Sequence, residues 1–320
     1  MNIVLPAKQR LILIGLVFVI FSSPLSADTD PRCRTVRMGT VGWLDAGASS
    51  SIAHALLLGL GYNAMIQRIS TPDILASLKN EDLDVFFELM IPTMGDQLRP
   101  YLLDNSVELL TKNLAGTKYS LAANKSANNI GIRHFNDISS FSSELGHTIY
   151  SSEYGSDGHQ LVQKLIDQNL FNLGTFKVAP VSESELIAKL TASTKSDSAL
   201  VFLGWEPHPM NIRYDLSFLP GGEAVFGENF GGADVYTIIR QGLSGMCPNL
   251  IQFLTNLRFK LALINEIMTG ILDLNARPTV AAVASIRQQP DLLKPWLENI
   301  THANGQNGLR KVKEFLGLDQ

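Results

Sequence analysis

The sequence predicts an α/β protein that folds into two lobes with a ligand cleft between them. Apolar segments of strand length alternate with helical segments, and this β-α-β-α-β order is typical of mostly parallel sheets covered by helices. The alternation begins near residue 35, begins again near residue 119 and gives way to a long helical tail, so the chain builds one lobe, then a second, and returns to the first. In such folds, ligands bind at the carboxyl ends of the strands.

The first 27 residues have the pattern of an export signal. Lys8 and Arg10 precede an apolar run over residues 11–21, and Ala27 ends a small-residue cleavage pattern. The run is shorter than the roughly 20 residues that a membrane-spanning helix needs, although an uncleaved anchor is the alternative. We therefore expect cleavage near Ala27 and an exported mature chain.

The first lobe is predicted to comprise residues 28–117 and 227–320. Its expected elements are a strand over residues 35–41, a helix over 49–60, a strand over 62–69, a helix over 71–79, a strand over 84–87, a strand over 233–240 and a helical tail over 248–316 that is broken at Pro278, Pro290 and Pro295. Pro72 lies in the first turn of its helix, where the missing N–H costs little. Gly59 and Gly61 end a helix rather than follow a strand, so they do not form a dinucleotide-binding fingerprint.

The second lobe is predicted to comprise residues 118–226. Its expected elements are strands over residues 119–124, 148–151, 176–180 and 199–203, with helices over 158–168 and 183–190. Cys33 and Cys247 are the two cysteines of the chain. In an exported protein one distant pair predicts a disulfide, with two free buried thiols as the alternative. A disulfide would place the first and last parts of the chain in the same lobe.

Two predicted strand ends each present a tryptophan close to an acidic residue. One strand delivers Trp205 and Glu206 into a loop that two prolines stiffen, and the strand over 35–41 leads to Trp43 and Asp45. A flat ring beside a carboxylate suits a small organic cation, which is attracted to the negative face of the ring. One tryptophan at a strand end is more often a core residue, but the repeated arrangement favours a binding site.

The composition and motifs argue against several other functions. Thirty acidic residues outnumber 26 basic ones, which argues against nucleic acid or an anionic membrane as a partner. The sequence has no G-x-S-x-G, H-E-x-x-H, phosphate-loop or clustered Cys/His pattern, so we predict no enzyme activity, no metal and no cofactor. His208, between two prolines, is the one histidine near the suspected site, and its simplest role is to shape the loop.

Six motifs together resemble the periplasmic choline-binding proteins, which belong to the glycine betaine/proline-betaine binding group that serves ABC importers. They are VGWLD (41–45), PTM (92–94), KYSLA (118–122), GSDG (155–158), LGWEPHPMN (203–211) and VFGENFGGA (225–233). The resemblance covers essentially the whole mature chain. It implies a type II periplasmic binding fold in which two lobes close over a quaternary ammonium ligand, and a disulfide between the two cysteines.

The resemblance also implies which residues bind the ligand. Trp43, Tyr119 and Trp205 match three walls of an aromatic box, and Asp45 matches the acidic residue beside the ligand. In the loop before the helix over 158–168, Ser156 and Asp157 are either ligand contacts or a helix cap.

This chain departs from the family pattern at two positions. Met90 stands where relatives have another wall tryptophan, and Ser156 stands where they have asparagine. A methionine is soft and still packs against methyl groups, so the loss of the ring is expected to be partial. Glu88 and Tyr154 lie near the altered positions and are candidates to compensate, one by its charge and the other by its ring.

We therefore expect an exported, periplasmic, monomeric binding protein that captures a quaternary ammonium solute and delivers it to the membrane permease of an ABC transporter. Choline is the favoured ligand, because Asp45 disfavours a nearby ligand carboxylate, and Glu206 or Glu153 is expected to add negative charge. Glycine betaine, carnitine or a related osmolyte is the alternative within this class. A secreted choline-ester hydrolase and a ligand-sensing module are the alternatives from other classes.

Overall fold

The computed structural model describes residues 28–42 and 44–318, with only the backbone of residues 44–46. The export signal predicted for residues 1–27 and the predicted wall residue Trp43 lie outside this part of the chain. Within it, the strands form two five-stranded sheets, and the chain passes from the first sheet to the second and later returns. No helix in the described residues is both long and apolar enough to cross a membrane.

The first sheet is parallel on one side and antiparallel on the other. Its strands are β1 (Thr35–Thr40), β2 (Asn63–Arg68), β3 (Val85–Ile91), β4 (Val107–Leu114) and β10 (Asp234–Arg240), in the order β2-β1-β3-β10-β4. β1 pairs in parallel with β2 and β3, as the βαβαβ pattern predicts. The returning strand β10 inserts between β3 and β4 and is antiparallel to both, so the sheet is mixed.

The second sheet has the same mixed character. Its strands are β5 (Lys118–Ala123), β6 (Thr148–Ser151), β7 (Lys177–Pro180), β8 (Val201–Glu206) and β9 (Ser217–Phe218), in the order β7-β6-β8-β5-β9. β6 is parallel to β7 and β8, whereas β5 is antiparallel to β8 and β9. In each sheet the antiparallel strand, β10 in the first and β5 in the second, is the first strand after a passage between the sheets.

Helices cover both sheets. They are α1 (Leu44–Gly59), α2 (Thr71–Lys79), α3 (Gly95–Leu103), α4 (Lys125–Ile130), α5 (Asp157–Asp167), α6 (Glu183–Ser196), α7 (Met210–Arg213), α8 (Glu223–Phe226), α9 (Glu228–Gly231), α10 (Leu243–Met246), α11 (Pro248–Asn256), α12 (Leu261–Leu274), α13 (Pro278–Gln288), α14 (Leu293–Trp296) and α15 (Gly308–Leu316). Short 3-10 segments span Pro31–Arg34, Phe135–Phe141, Leu170–Asn172 and Pro290–Leu292. The tail is interrupted at Pro278 and Pro290 as predicted, but Pro295 lies inside the short α14.

Several helices begin where the sequence places a capping residue. The Ser70 side chain accepts a hydrogen bond from the Asp73 N–H at the start of α2, and proline follows in the first turn. α6 begins with a complete capping box between Ser182 and Glu185. Each cap satisfies N–H groups that have no partner inside the helix.

Three predicted boundaries were wrong in ways that affect the site. The strand expected to end at residue 203 continues to Glu206, so Trp205 and Glu206 lie in β8 and not in a loop. The strand expected over 84–87 continues to Ile91, and so includes Glu88 and Met90. The helix expected from residue 49 begins at Leu44. In all three cases the strand or helix continues through residues that were predicted to lie in a loop.

The disulfide and the two passages between the sheets hold the halves of the first lobe together. Cys33 and Cys247 are bonded, with their Cα atoms 5.6 Å apart and both side chains fully buried. The predicted disulfide is therefore confirmed, and it joins the start of the chain to the segment after β10. At the passages themselves, the Thr117 hydroxyl donates to the Ala233 carbonyl at 2.7 Å.

Candidate functional site

Three adjoining cavities lie between the two sheets. The serine-rich cavity is lined by Gly42, Tyr119, Ser151, Ser152, Glu153, Val181, Ser182, Glu183, Leu186 and Trp205. The apolar cavity is lined by Ser49, Glu88, Met90, Leu114, Thr117, Tyr119, Trp205, Glu206, Pro207, Val235 and Ile264. The outer cavity, about 1400 Å³ including its open mouth, is lined by Val41, Gly42, Arg68, Ile69, Ser70, Thr71, Pro72, Met94, Gln97, Glu153, Tyr154, Gly155, Ser156, Asp157 and Gln160.

Tyr119 and Trp205 form the wall that the two inner cavities share. They lie directly opposite each other on β5 and β8, so the antiparallel pairing places both side chains on one face of the sheet. Their exposed fractions are 3% and 9%. The buried Trp205 Nε1 donor has no acceptor among the described residues. Two of the predicted aromatic walls are therefore adjacent and face the space between the lobes.

His208 packs against the Trp205 ring. The two rings meet edge to face with their centroids 5.1 Å apart, and His208 is only 1% exposed. Its Nδ1 accepts from the Met210 N–H at 3.0 Å, so the ring proton lies on Nε2, which donates to Glu183 Oε1 at 2.8 Å. The Asn211 side chain also donates to the Trp205 carbonyl at 2.9 Å. The histidine thus has a structural role beside the ring, as the sequence suggested, although it supports a strand end and not a loop.

Asp157 lies at the start of α5 and faces Tyr119. The Tyr119 hydroxyl donates to Asp157 Oδ1 at 3.4 Å, while the buried Oδ2 has no partner among the described residues. Burial raises the pKa of the Asp157 carboxyl above its ordinary value, and hydrogen bonds from the Gly158 N–H and from Tyr119 oppose this rise. The site therefore keeps an acceptor that a ligand hydroxyl would satisfy.

Gly158 allows α5 to approach this closely. A Cβ atom at this position would overlap the Tyr119 hydroxyl and the Leu203 side chain. The absence of a side chain is therefore required for the helix start to pack against the aromatic wall.

Ser156 is the cap of α5. Its hydroxyl accepts from the His159 N–H at 3.2 Å, donates to the Glu153 carbonyl at 2.7 Å and lies 2.7 Å from the Ser152 hydroxyl. Of the two roles considered for this residue, capping is the one that the structure contains. Ser156 also lines the outer cavity, so it remains within reach of a ligand there.

Tyr154 does not enter the inner cavities. Its side chain is 85% exposed and lies against the His159 ring, with the centroids 5.0 Å apart. It lines only the outer cavity. In this arrangement Tyr154 does not replace the wall ring that is missing at Met90.

Met90 and Glu88 lie two residues apart on β3 and both line the apolar cavity. Glu88 is 8% exposed, and its Oε1 accepts from the Ser50 hydroxyl at 2.7 Å. Met90 is 7% exposed and faces the same space as Leu114 and Ile264. Met90, a predicted wall position, thus lines the cleft, and Glu88 adds a buried carboxylate to the same cavity.

Glu206 is already neutralised within the second sheet. It lies opposite Lys118 in the strand register, and the Lys118 Nζ is 2.6 Å from its Oε2. Its expected contribution of negative charge to the ligand is therefore weak, because a local ion pair screens it.

Asp45 lies in the first turn of α1. Gly42, which precedes Trp43, lines both the serine-rich and the outer cavity, and Ser49 on α1 lines the apolar cavity. The chain therefore reaches the cleft at Gly42 and again at Ser49. The ligand contacts of Trp43 and Asp45 stay predictions.

Several lining residues were not predicted. Ser49 lies on α1, Leu114 ends β4, Val235 lies in β10, and Glu183 begins α6. They come from elements distant in the chain, and a polar side chain at the start of a predicted helix was the signal that could have identified Ser49 and Glu183. The described residues contain no group of His, Cys, Asp and Glu side chains suited to a metal ion.

Comparison with known proteins gives a consistent result. Residues 34–287 match the family described as the substrate-binding domain of the ABC-type glycine betaine transport system. A solved ABC-transporter choline-binding protein in complex with choline is 42% identical, over 90% of this chain and 100% of that chain, with a TM-score of 0.86. The unliganded, semi-closed form of a choline-binding protein gives the same identity and coverage with a TM-score of 0.82.

An uncharacterized protein of Chromohalobacter salexigens is 32% identical over 155 residues, which are 48% of this chain and 97% of that protein. The two-lobed type II periplasmic binding fold that the sequence implied is confirmed by these likenesses. The family and these solved structures are transport proteins and not enzymes.

Proposed function

Because the chain belongs to the family of substrate-binding domains of ABC-type glycine betaine transport systems, we propose that it captures a quaternary ammonium solute, with choline as the favoured ligand. The ligand binds between the lobes, in a cage formed by Trp43, Tyr119 and Trp205 with Asp45 beside it. Methyl groups pack on the rings, and the cation is attracted to their faces.

The charge of the inner cavities carries this proposal. Glu88, Glu153, Glu183 and Glu206 line them, and no lysine or arginine does so among the described residues. Lys118 pairs with Glu206, which weakens the contribution of that carboxylate, whereas Glu153 and Glu183 of the serine-rich cavity have no lysine or arginine partner among the described residues. A permanently charged ammonium cannot donate hydrogen bonds, so rings and nearby carboxylates are what recognise it.

The ligand hydroxyl has an acceptor in Asp157 Oδ2, which is buried and unpartnered within the described residues. A choline hydroxyl donates to it, whereas the carboxylate of glycine betaine would face a second negative charge there. The choline complex of the 42% identical protein supports the same preference. Met90 contributes methyl packing in place of a ring, at a cost of about 0.5–2 kcal/mol in cation–π energy.

The proposal extends to where the protein acts and to what it delivers the ligand. The chain is exported with cleavage near Ala27, acts as a periplasmic monomer and hands its ligand to the permease of an ABC importer. Residues 28–117 and 227–320 move as one lobe and residues 118–226 as the other. The ligand favours the closed state in proportion to its extra contacts there.

Titration of the mature protein with choline and with glycine betaine, followed by heat and by tryptophan fluorescence, tests the proposal. We expect choline to bind with a Kd of about micromolar or below and more tightly than glycine betaine. A folded protein that binds glycine betaine more tightly would change the assigned ligand. One that binds no quaternary ammonium compound would refute the function.

A further inference from the structure

The outer cavity contains one basic side chain, and its chemistry differs from that of the inner cavities. Arg68, at the end of β2, lies on the wall that the first lobe contributes. It is the only lysine or arginine among the described residues that line any of the three cavities between the sheets. A ligand confined to the inner cavities would not need it.

Arg68 lies where the outer cavity meets the serine-rich cavity. Its Nη2 donates to the Gly42 carbonyl at 2.9 Å, and Gly42 lines both cavities. Glu153 also lines both and marks the junction on the opposite lobe. A ligand whose cationic head occupies the serine-rich cavity would therefore extend past Gly42 toward the guanidinium.

The guanidinium has no carboxylate partner among the described side chains, and the Gly42 carbonyl takes one of its five N–H donors. The charges that face it in the outer cavity are those of Glu153 and Asp157 on the second lobe, and burial raises the pKa of Asp157. Asp73 is held near the start of α2 by its contacts with Ser70. Arginine binds carboxylate, sulfate or phosphate oxygens in a two-pronged geometry, so an available guanidinium here suits an anionic group.

We propose that Arg68 forms a second subsite, which binds the anionic group of a zwitterionic quaternary ammonium compound whose anion lies several bonds from the nitrogen. This inference rests on the proposed function, because the trimethylammonium head must first occupy the inner cavities. A short zwitterion such as glycine betaine would hold its carboxylate among the acidic side chains near the head. A longer one, such as choline O-sulfate or carnitine, places its anion at Arg68.

Calorimetric titration of the wild-type protein and of Arg68→Gln with choline, choline O-sulfate and carnitine tests the subsite. We expect the wild type to bind all three, and Arg68→Gln to lose about tenfold in affinity for the two zwitterions while its affinity for choline changes less than twofold. Arg68→Lys keeps the charge without the fork and should recover part of the loss. Arg99→Gln, which removes an exposed arginine that lines none of these cavities, is the matched control and should leave all three affinities unchanged.

The possible outcomes separate the two proposals. Choline binding without binding of either zwitterion would refute the subsite and leave the proposed function intact. An equal loss for choline and the zwitterions in Arg68→Gln would show that the arginine only supports the Gly42 backbone, which also refutes the subsite. Absence of binding by all three compounds to the folded wild type would refute both.

Discussion

Trp205 is buried and is held by contacts with three neighbouring residues. Tyr119 lies opposite it in the strand register, His208 meets its edge, and Asn211 binds its backbone carbonyl. A ring fixed in this way loses little side-chain entropy when a ligand binds, which favours affinity. The contacts behind the ring are therefore part of the binding site even though they do not touch the ligand.

We predict that Trp205→Ala weakens choline binding by about 1–3 kcal/mol, because it removes cation–π attraction and apolar burial together. Titration calorimetry measures the change, and circular dichroism verifies that the variant is folded. Trp296→Phe serves as the control, since Trp296 lies in α14 and lines none of the cleft cavities. Unchanged choline affinity in a folded Trp205→Ala variant would exclude this ring from the site.

Asp157 makes stability depend on pH in a defined direction. Burial raises the pKa of its carboxyl above the ordinary 3.8, so the folded protein holds this proton to higher pH than the unfolded chain does. The free energy of unfolding therefore falls as pH rises from the ordinary to the raised value. Above that window the buried charge is a cost to the folded state.

Asp157→Asn should thus unfold at a higher temperature than the wild type at pH 8, and the difference should shrink toward pH 4. Thermal unfolding at several pH values without ligand measures this. Asp82→Asn, at an exposed position, should show no such trend. The same variant should bind choline less tightly, because a neutral amide replaces the acceptor of the ligand hydroxyl. A gain in stability that is equal at pH 4 and pH 8 would contradict the assigned cause.

Residue identity alone could predict part of this site. The motifs pointed to Tyr119, Trp205, Asp157 and Met90, and all four line the cleft. The same motifs could not show that Lys118 neutralises Glu206, since that contact depends on the register between two strands. Nor could they decide between capping and ligand contact for Ser156, because both roles use the same hydroxyl.

α5 is the helix whose position most directly determines the geometry of the site. Its cap, its first carboxylate and its close packing on Tyr119 all lie within the first turn. Asp157 at this end also interacts favourably with the helix dipole, which partly offsets the cost of burying its charge. A small displacement of this helix would therefore move the hydroxyl acceptor and the aromatic wall relative to each other.

Gly158→Ala is expected to destabilise the protein by about 1–3 kcal/mol, because the added methyl group overlaps the Tyr119 hydroxyl and Leu203. Choline affinity should fall as well. Gly95→Ala is the matched control, since Gly95 begins α3 and a Cβ there meets no atom within 4 Å. Denaturant unfolding and calorimetry report the two effects. If both alanine variants behave alike, the close approach of α5 is not what requires the glycine.

The order of elements was predictable, but the ends of several elements were not. Alternating apolar segments gave the parallel strands β1 to β3 and the helices between them. The extension of β8 to Glu206 depends on pairing with β5, a strand more than 80 residues earlier, and the local sequence with its glycine and prolines indicated a loop. Insertion of β10 between β3 and β4 likewise depends on long-range pairing that no local pattern specifies.

The disulfide should contribute to stability and not to ligand recognition. Replacing Cys33 and Cys247 with serine is expected to lower the free energy of unfolding by about 2–5 kcal/mol, because the unfolded chain loses a constraint across 214 residues. Choline affinity at 25 °C should be unchanged, since both residues lie in the first lobe and line no cleft cavity. Urea unfolding with parallel titrations measures both quantities. An unchanged urea midpoint, or a large loss of affinity in the folded variant, would contradict this assignment.

At the scale of the whole molecule, the sequence predicts that the chain leaves the first sheet and later returns to it, and such a path needs two connections. The structure adds that these connections are bonded to each other, through the Thr117 hydroxyl and the Ala233 carbonyl. Because the two passages between the sheets lie side by side at this bond, we expect the lobes to rotate relative to each other about this place, as at a hinge. A ligand that contacts residues of both sheets would then favour the closed arrangement of the cleft.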